Sequence, residues 1–232
     1  MSQYKELKER VYEANIELNN RGLVLYSFGN VSEIDRDKNV VAIKPSGVPY
    51  EKLKPNDVVI VDLENKPVEG ELQPSSDTKT HTHLYRQYKG IGGVAHTHST
   101  YATGWAQAAM SLPCYGTTHA DYGNGEIPCT EFLEDFQING DYEEETGVQI
   151  SKTIGKRDPL STPMILVAGH GPFSWGDSAD NAVYHLVVLE QIAHMNYIAK
   201  NLNNEIKPLN QNLINKHFDR KHGVNAYYGQ RK

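Results

Sequence analysis

The sequence predicts a single α/β domain, and three observations lead to this prediction. Short apolar segments typical of strands recur along the chain, and segments with helical spacing of apolar residues lie between them. No internal repeat, low-complexity stretch or linker divides the chain. Its 232 residues, 38% of them hydrophobic, are enough for one large domain with its own core.

In the first part of the chain, a helix is predicted over residues 4–19. Apolar residues spaced by three or four positions share one face there, and Gly22 follows as a stop signal. Apolar segments bounded by turn residues then predict three strands, at residues 23–28, 40–43 and 58–63. The segment Pro74–Asp77 supplies capping residues for a helix over residues 78–88.

Later in the chain, the apolar residues before His96 predict another strand. Glycines and prolines break any periodicity over residues 111–141, so turns are predicted there. Residues 164–168 are all apolar and predict a buried strand that ends at Gly169. Further helices are predicted over residues 99–109, 142–155, 178–202 and 207–222.

Composition and charge limit the possible functions. The net charge of -6 argues against nucleic acid as the main partner. No apolar run approaches the roughly 20 residues of a membrane span, and the charged N-terminal segment does not resemble a signal peptide, so a cytoplasmic location is predicted. The two cysteines imply no disulfide framework. An anionic substrate remains compatible, because local backbone amides and one cation suffice to bind a phosphate.

Three of the ten histidines form a candidate metal site. His96 and His98 stand two residues apart in a predicted strand, so both side chains point to the same face. A His-x-His pair alone is more often an ordinary surface or core feature. His170, however, ends an apolar strand between two glycines, at the kind of position where α/β sites collect. Three histidines with an open fourth position are typical of catalytic zinc, although other divalent ions also bind such sets.

Other histidines are predicted to lie outside this group. His81 and His83 are also two residues apart, but on a predicted helix, where positions i and i+2 point in different directions. They are therefore not expected to act as a pair, and replacing either is expected to change neither metal content nor activity. The roles of His119, His217 and His222 stay open, since these residues lie in or beside irregular segments.

Three short polar loops are candidates for binding a phosphate. Each pairs small residues that expose backbone N–H groups or hydroxyls, and the third begins a predicted helix, whose N-terminus favours anions. The loop residues are Gly29, Asn30, Ser46, Gly47, Ser75 and Ser76. Lys44 can add a positive charge. Taken one at a time, each loop is more typical of an ordinary turn.

Seven segments carry a resemblance to a known family. They are Gly29–Ser32, Lys44–Gly47, Pro74–Thr78, His96–Ser99, Thr117–Tyr122, His170–Phe173 and Tyr227–Gln230. Together they resemble the class II aldolase/adducin family, over nearly the whole chain from residue 4 to residue 230. The segment around Asp121 and the C-terminal segment resemble the epimerases of that family in particular.

The resemblance implies a single-domain, three-layer α/β/α sandwich with a central mixed sheet. It implies Zn²⁺ on His96, His98 and His170. Asp77 is counted with the metal ligands, at a position where the aldolases of the family carry a glutamate. The three polar loops and Lys44 match the family's contacts to substrate and phosphate.

The resemblance also implies how the chain assembles and acts. Asp121 and Tyr228 match an acid/base pair. A cyclic homotetramer is expected, in which residues 223–232 pack on a neighbouring subunit and Tyr228 and His217 reach the neighbour's zinc site. The implied activity is the interconversion of L-ribulose 5-phosphate and D-xylulose 5-phosphate at C4, by cleavage and re-formation of the C3–C4 bond, in arabinose catabolism or another route that supplies the same sugar phosphate.

Two alternatives remain open. The first is a sugar-phosphate aldolase of the same family, which would release the aldehyde that an epimerase recombines. Asp77 in place of glutamate and the Asp121/Tyr228 pair argue against it. The second is an adducin-like assembly module without catalysis, which would have no use for the three histidines.

Overall fold

A seven-stranded sheet lies at the centre of the computed structural model, which describes residues 2–229. The strands are β1 (Asn30–Asp35), β2 (Val40–Ile43), β3 (Val59–Asp62), β4 (Pro67–Glu69), β5 (Gly93–His96), β6 (Met164–Val167) and β7 (Gly171–Gly176). Their order across the sheet is β4-β3-β2-β1-β5-β7-β6. Residues 230–232 of the predicted C-terminal segment, including Gln230 of its motif, lie outside the described residues.

The sheet is antiparallel between all neighbouring strands, which corrects the mixed sheet that the resemblance implied. Short turns join β1 to β2, β3 to β4 and β6 to β7, and strands joined by short turns pair antiparallel, whereas a parallel pair needs a long crossover. A single bridge between Cys129 and Leu166, outside the strand pairs, is parallel.

Eight α-helices surround the sheet in the described part of the chain, besides two short 3-10 helices at Tyr50–Lys52 and Pro55–Asp57. The α-helices are α1 (Lys5–Asn20), α2 (Thr78–Gln87), α3 (Thr100–Gln107), α4 (Thr117–Ala120), α5 (Asp135–Ile138), α6 (Tyr142–Ile154), α7 (Ala179–Leu202) and α8 (Gln211–His222). All six predicted helices are confirmed, and α8 begins four residues later than expected. The short helices α4 and α5 lie in the region predicted as turns. Within residues 2–229, no helix has the length and apolar character needed to cross a membrane.

Alternating strand residues bury the two faces of the sheet under different helices. In β5, Val94 packs in a core with Leu84 of α2 and Ile150 of α6. Its neighbour Ala95 packs on the opposite face, in a core with Leu186 of α7 and residues of α1 and α3. The predicted three-layer arrangement is therefore confirmed, and the two-residue period places His96 on the α2/α6 face.

The predicted strand over residues 23–28 is wrong. This segment is a turn, in which the Phe28 N–H donates to the Leu25 carbonyl at 2.9 Å and Tyr26 has a φ of 53°. Leu25 and Tyr26 are 67% and 76% exposed, so their apolar character does not mark a buried strand. The strand next to them, β1, begins only at Asn30.

Three strands were not predicted, β1, β4 and β7. In β1, only Val31 and Ile34 are apolar and they stand three positions apart, so the segment shows neither the alternation nor the apolar run that indicates a strand. In β7, Gly171 and Pro172 gave the signal of a turn, yet they pair with Val167 and Leu166 of β6. Pairing with neighbouring strands overrides these local preferences, because the ladder satisfies backbone groups that burial would otherwise leave without partners.

Candidate active site

Three imidazoles meet at one end of the sheet. His96 ends β5, and His98 follows two residues later. His170 lies in the turn between β6 and β7, and β7 is the neighbour of β5 in the sheet. One ligand atom from each residue lies within 4.8 Å of the other two. The same-face argument for His96 and His98 is confirmed by their ring centroids, which are 4.9 Å apart.

The hydrogen bonds of these rings leave nitrogen atoms free to bind a cation. His96 Nδ1 donates to the Pro172 carbonyl at 2.9 Å, so its Nε2 keeps the lone pair, and that atom is buried without a hydrogen-bond partner in the described chain. His170 Nδ1 is likewise buried without a partner. An imidazole fixed through its other nitrogen by a carbonyl is the usual arrangement of a metal-binding histidine. The three residues therefore fit a divalent metal ion.

Burial keeps these histidines neutral, which metal binding requires. It lowers the pKa of His96 to about 3 and holds the pKa of His98 and His170 below the ordinary value. Neutral imidazoles offer a lone pair at physiological pH, so protons do not compete with a metal there.

Glycine at position 171 allows the close packing of this site. A Cβ at this position would lie 2.8 Å from the Thr97 carbonyl oxygen and 3.4 Å from Cε1 of His96. Phe173 stacks on the His96 imidazole with a centroid distance of 4.1 Å. The glycine thus lets the turn before β7 approach the site closely, and Phe173 packs on the ring of His96.

All the predicted phosphate-binding loops lie in the same cavity as the three histidines. The cavity measures about 590 Å³, a size that suits a small sugar phosphate. Its predicted lining residues are Gly29, Asn30, Lys44, Ser46, Gly47, Ser75, Ser76, Asp77, His96, His98 and His170. These residues come from five separate parts of the sequence, so their convergence supports a common role.

Lys44 brings a buried positive charge to this cavity. Its Nζ lies 3.4 Å from the carbonyl oxygens of Ser27 and Pro45 and 4.8 Å from the ring centroid of Tyr50. Among the described residues, no carboxylate forms a salt bridge with it. Burial lowers the pKa of Lys44 to about 8. A cation that lacks a protein counter-ion in a cavity is suited to an anionic ligand.

Asp77 lies beside the histidine group but outside the set of atoms within 4.8 Å. Its Oδ2 accepts a hydrogen bond of 2.6 Å from Asn30 Nδ2, which also contacts Ser75 Oγ at 3.0 Å. Burial alone would raise the pKa of Asp77, but His96, His81 and the Asn30 hydrogen bond together hold it below the ordinary value. Asp77 therefore stays ionised at the edge of the site.

Asp121, His217 and Tyr228 form a second group with the end of α8. Asp121 accepts hydrogen bonds of 3.0 and 2.8 Å from Arg220 and one of 3.0 Å from His217 Nδ1. The Arg220 guanidinium lies 5.1 Å from the ring centroid of Tyr228. Burial tends to raise the pKa of Asp121, and the bonds from Arg220 and His217 outweigh it and lower the pKa. Within residues 2–229, this group does not line the histidine cavity.

Six residues of these two groups were not predicted from the sequence: Tyr142, Glu143, Arg220 and, beside the predicted loop residues, Ser27, Phe28 and Pro45. Tyr142 and Glu143 line the cavity at the start of α6, and the Tyr142 ring lies 6.3 Å from that of His170. No periodicity or motif distinguishes these two residues from others that begin a helix. Arg220 has a weak signal, as one of several basic residues near the end of α8.

Comparison with known proteins identifies the family. Residues 9–197 match the model of the class II aldolase and adducin N-terminal domain. The chain belongs to this family. It is 53% identical over 227 residues to the L-ribulose-5-phosphate 4-epimerase UlaF of Salmonella paratyphi B (strain ATCC BAA-1250 / SPB7), covering 98% of this chain and 100% of that protein.

Solved structures of the class II aldolase family share the fold. An L-fuculose 1-phosphate aldolase superimposes with a TM-score of 0.81 at 27% identity, covering 95% of this chain and 97% of that one. For the L-fuculose 1-phosphate aldolase from Glaciozyma antarctica PI12 the TM-score is 0.76 at 17% identity, with 94% and 82% covered, which shows the fold alone. The comparisons confirm the family resemblance, the fold class and the expectation of an enzyme.

Proposed function

We propose that this protein interconverts L-ribulose 5-phosphate and D-xylulose 5-phosphate by inverting C4. The observation that carries the proposal is the convergence of three neutral histidines and the phosphate-binding loops in one cavity. The 53% identity to an L-ribulose-5-phosphate 4-epimerase supports the choice of substrate.

The substrate's own chemistry favours breaking a carbon–carbon bond. The C4 proton is not acidic, because the carbonyl is at C2, so deprotonation cannot invert C4. Cleavage of C3–C4 leaves its electron pair on C3, where the pair delocalises into the C2 carbonyl. The other fragment is glycolaldehyde phosphate, and C4 is inverted if its aldehyde turns over before the bond re-forms.

The three histidines would hold the metal ion. Zn²⁺, or another divalent ion on His96, His98 and His170, would act as a Lewis acid that stabilises the negative charge developing on the C1–C3 fragment. Asp77, ionised beside this group, would add an oxygen that faces the metal or the sugar hydroxyls.

The phosphate loops have two tasks in this mechanism. Lys44 and the two serines of the turn that precedes α2, Ser75 and Ser76, would bind the phosphate through a charge and through hydroxyl donors. They would also retain the aldehyde fragment while it turns over, which distinguishes an epimerase from an aldolase.

Proton transfer at the C4 oxygen requires a group on each face of the aldehyde, and Asp121 and Tyr228 are the proposed pair. Within one chain they lie together near α8, outside the histidine cavity. We therefore propose a cyclic homotetramer in which residues 223–232 pack on a neighbour, bringing Tyr228, with His217, to the neighbour's histidines. Arg220 and His217 would keep the Asp121 carboxylate ionised and oriented.

An epimerisation assay with each of the two pentulose phosphates, with and without a chelator, tests the proposal. We expect conversion in both directions that the chelator abolishes and added Zn²⁺ restores. Release of free glycolaldehyde phosphate as the main product would instead identify an aldolase. Absence of both activities together with absence of bound metal would favour the assembly module.

A further inference from the structure

His81 lies buried directly behind the candidate metal site. It belongs to α2, is 0% exposed, and contacts Phe173 edge-on with a centroid distance of 6.1 Å. Phe173 in turn stacks on His96. His81 is thus in the layer of side chains that surrounds the three histidines, although none of its atoms belongs to their group.

A chain of hydrogen bonds determines which nitrogen of His81 carries the proton. Ser32 Oγ lies 2.7 Å from His81 Nδ1 and 2.8 Å from the Tyr85 hydroxyl. Burial raises the pKa of Tyr85 far above neutrality, so this phenol stays protonated and must donate, and Ser32 is its hydrogen-bonded partner. Ser32 therefore donates its own hydroxyl proton to His81 Nδ1, which accepts it with its lone pair. Because a neutral imidazole carries one N–H, the ring proton of His81 is on Nε2.

Nε2 of His81 is a buried donor in need of an acceptor. It has no hydrogen-bond partner in the described chain. Burial lowers the pKa of His81 to about 4, and the one charged group that acts against this effect is Asp77. Asp77 precedes His81 by four residues, one helical turn, so the two side chains lie on the same face of the helix N-terminus. Asn30 occupies Oδ2 of Asp77, which leaves the other carboxylate oxygen available.

We propose that His81 is a positioning residue for Asp77: its Nε2–H holds the Asp77 carboxylate, through one bridging water molecule, in the orientation that faces the three histidines. Asn30 and His81 would then fix the carboxylate from two sides. The inference rests on the proposed metal site and adds an outer support to it. It also replaces the expectation from the sequence that His81 has no influence on the metal.

The test measures Zn²⁺ affinity by competition with a chromophoric chelator. It compares His81→Asn with His81→Gln, whose side-chain amides lie at different distances from the backbone. A Gln side chain places its amide near Nε2 of a histidine, whereas the shorter Asn reaches only the Nδ1 position. We expect His81→Asn to weaken Zn²⁺ binding roughly 10-fold, the low end of the range for outer-shell partners, and His81→Gln to restore most of the loss. The matched control is His83→Asn, whose ring contacts Glu144 and Ser151 instead.

A second comparison separates positioning from general packing. If His81 acts through Asp77, adding His81→Asn to an Asp77→Asn protein should weaken binding no further. Equal losses in both backgrounds, equal affinities of the Asn and Gln variants, or an unchanged affinity in Asp77→Asn alone would each overturn the inference. Wild-type protein that binds no Zn²⁺ would overturn the proposed function as well, so the two failures are distinguishable. Thermal melts identify any variant that is not folded.

Discussion

At the scale of single residues, the site depends on groups whose burial changes their protonation. The three histidines are kept neutral and so can bind a metal, and burial lowers the pKa of Lys44 to about 8. Both effects come from desolvation, and each leads to a separate prediction.

Loss of one histidine should remove metal and activity together. In His98→Ala, a three-ligand site becomes a two-ligand site, so we expect Zn²⁺ content after dialysis to fall to a small fraction. Activity should fall by more than the roughly 10–100-fold typical of losing an outer-shell partner. Metal analysis and an epimerisation assay on the same sample measure both. His83→Ala is the control, and full metal occupancy in His98→Ala would show that other residues bind the metal.

Replacement of Lys44 should weaken binding of the phosphate and loosen retention of the aldehyde. A hydrogen bond to a charged group contributes about 1.5–3 kcal/mol, so Lys44→Met should raise KM roughly 10–100-fold. It should also release more free aldehyde per turnover. The exposed Lys52 provides the control variant Lys52→Met. Wild-type KM and aldehyde release in Lys44→Met would exclude Lys44 from the phosphate site.

The lowered pKa of Lys44 predicts a pH dependence of substrate binding. The side chain is charged below a pH of about 8 and becomes neutral above it in the free protein. KM for the phosphorylated sugar should therefore rise as the pH increases beyond about 8, while the substrate phosphate itself stays a dianion. Steady-state kinetics between pH 7 and 9.5 measure this rise. The same rise in Lys44→Met would assign it to another group.

At the scale of elements, the turn between β6 and β7 brings His170 next to His96 only because the backbone at Gly171 approaches Thr97 closely. Gly171→Ala should force these segments apart, at a cost of about 1–3 kcal/mol in the free energy of unfolding, and should weaken Zn²⁺ binding. Urea denaturation and chelator competition measure the two effects. In α3, Gly104→Ala is the control, since its Cβ would meet no atom within 4 Å and alanine favours the helix. Equal stability of both variants would contradict the packing argument.

At the scale of the whole molecule, Asp121 and Tyr228 lie outside the cavity that holds the histidines of the same chain. A site shared between subunits predicts that two inactive variants, His96→Ala and Tyr228→Ala, recover activity when co-expressed. Random assembly would pair an intact histidine group with an intact tail in roughly a quarter of sites. Activity measured on purified mixed oligomers should approach that fraction. If both groups come from one chain, every site lacks one of them, and no activity returns.

The sequence by itself determined the helices, most of the buried strands and most of the residues that line the cavity. Periodicity located α1, α6 and α7 to within a few residues, and strand alternation placed His96 and His98 on one face. These features follow from local rules, because the spacing of apolar residues along the sequence reflects the period of the helix or strand that they form. The phosphate-binding loops were identified by their resemblance to family motifs, because each loop alone was typical of an ordinary turn.

Only the tertiary structure decided how these parts meet. It turned residues 25–28 of the predicted strand into an exposed turn and made the sheet antiparallel. It also placed Arg220 on Asp121 and His81 against Phe173. Such contacts join residues far apart in the chain or on faces that no local pattern distinguishes. They are decided by which surfaces bury one another and which buried polar groups find partners, and this depends on the whole fold at once.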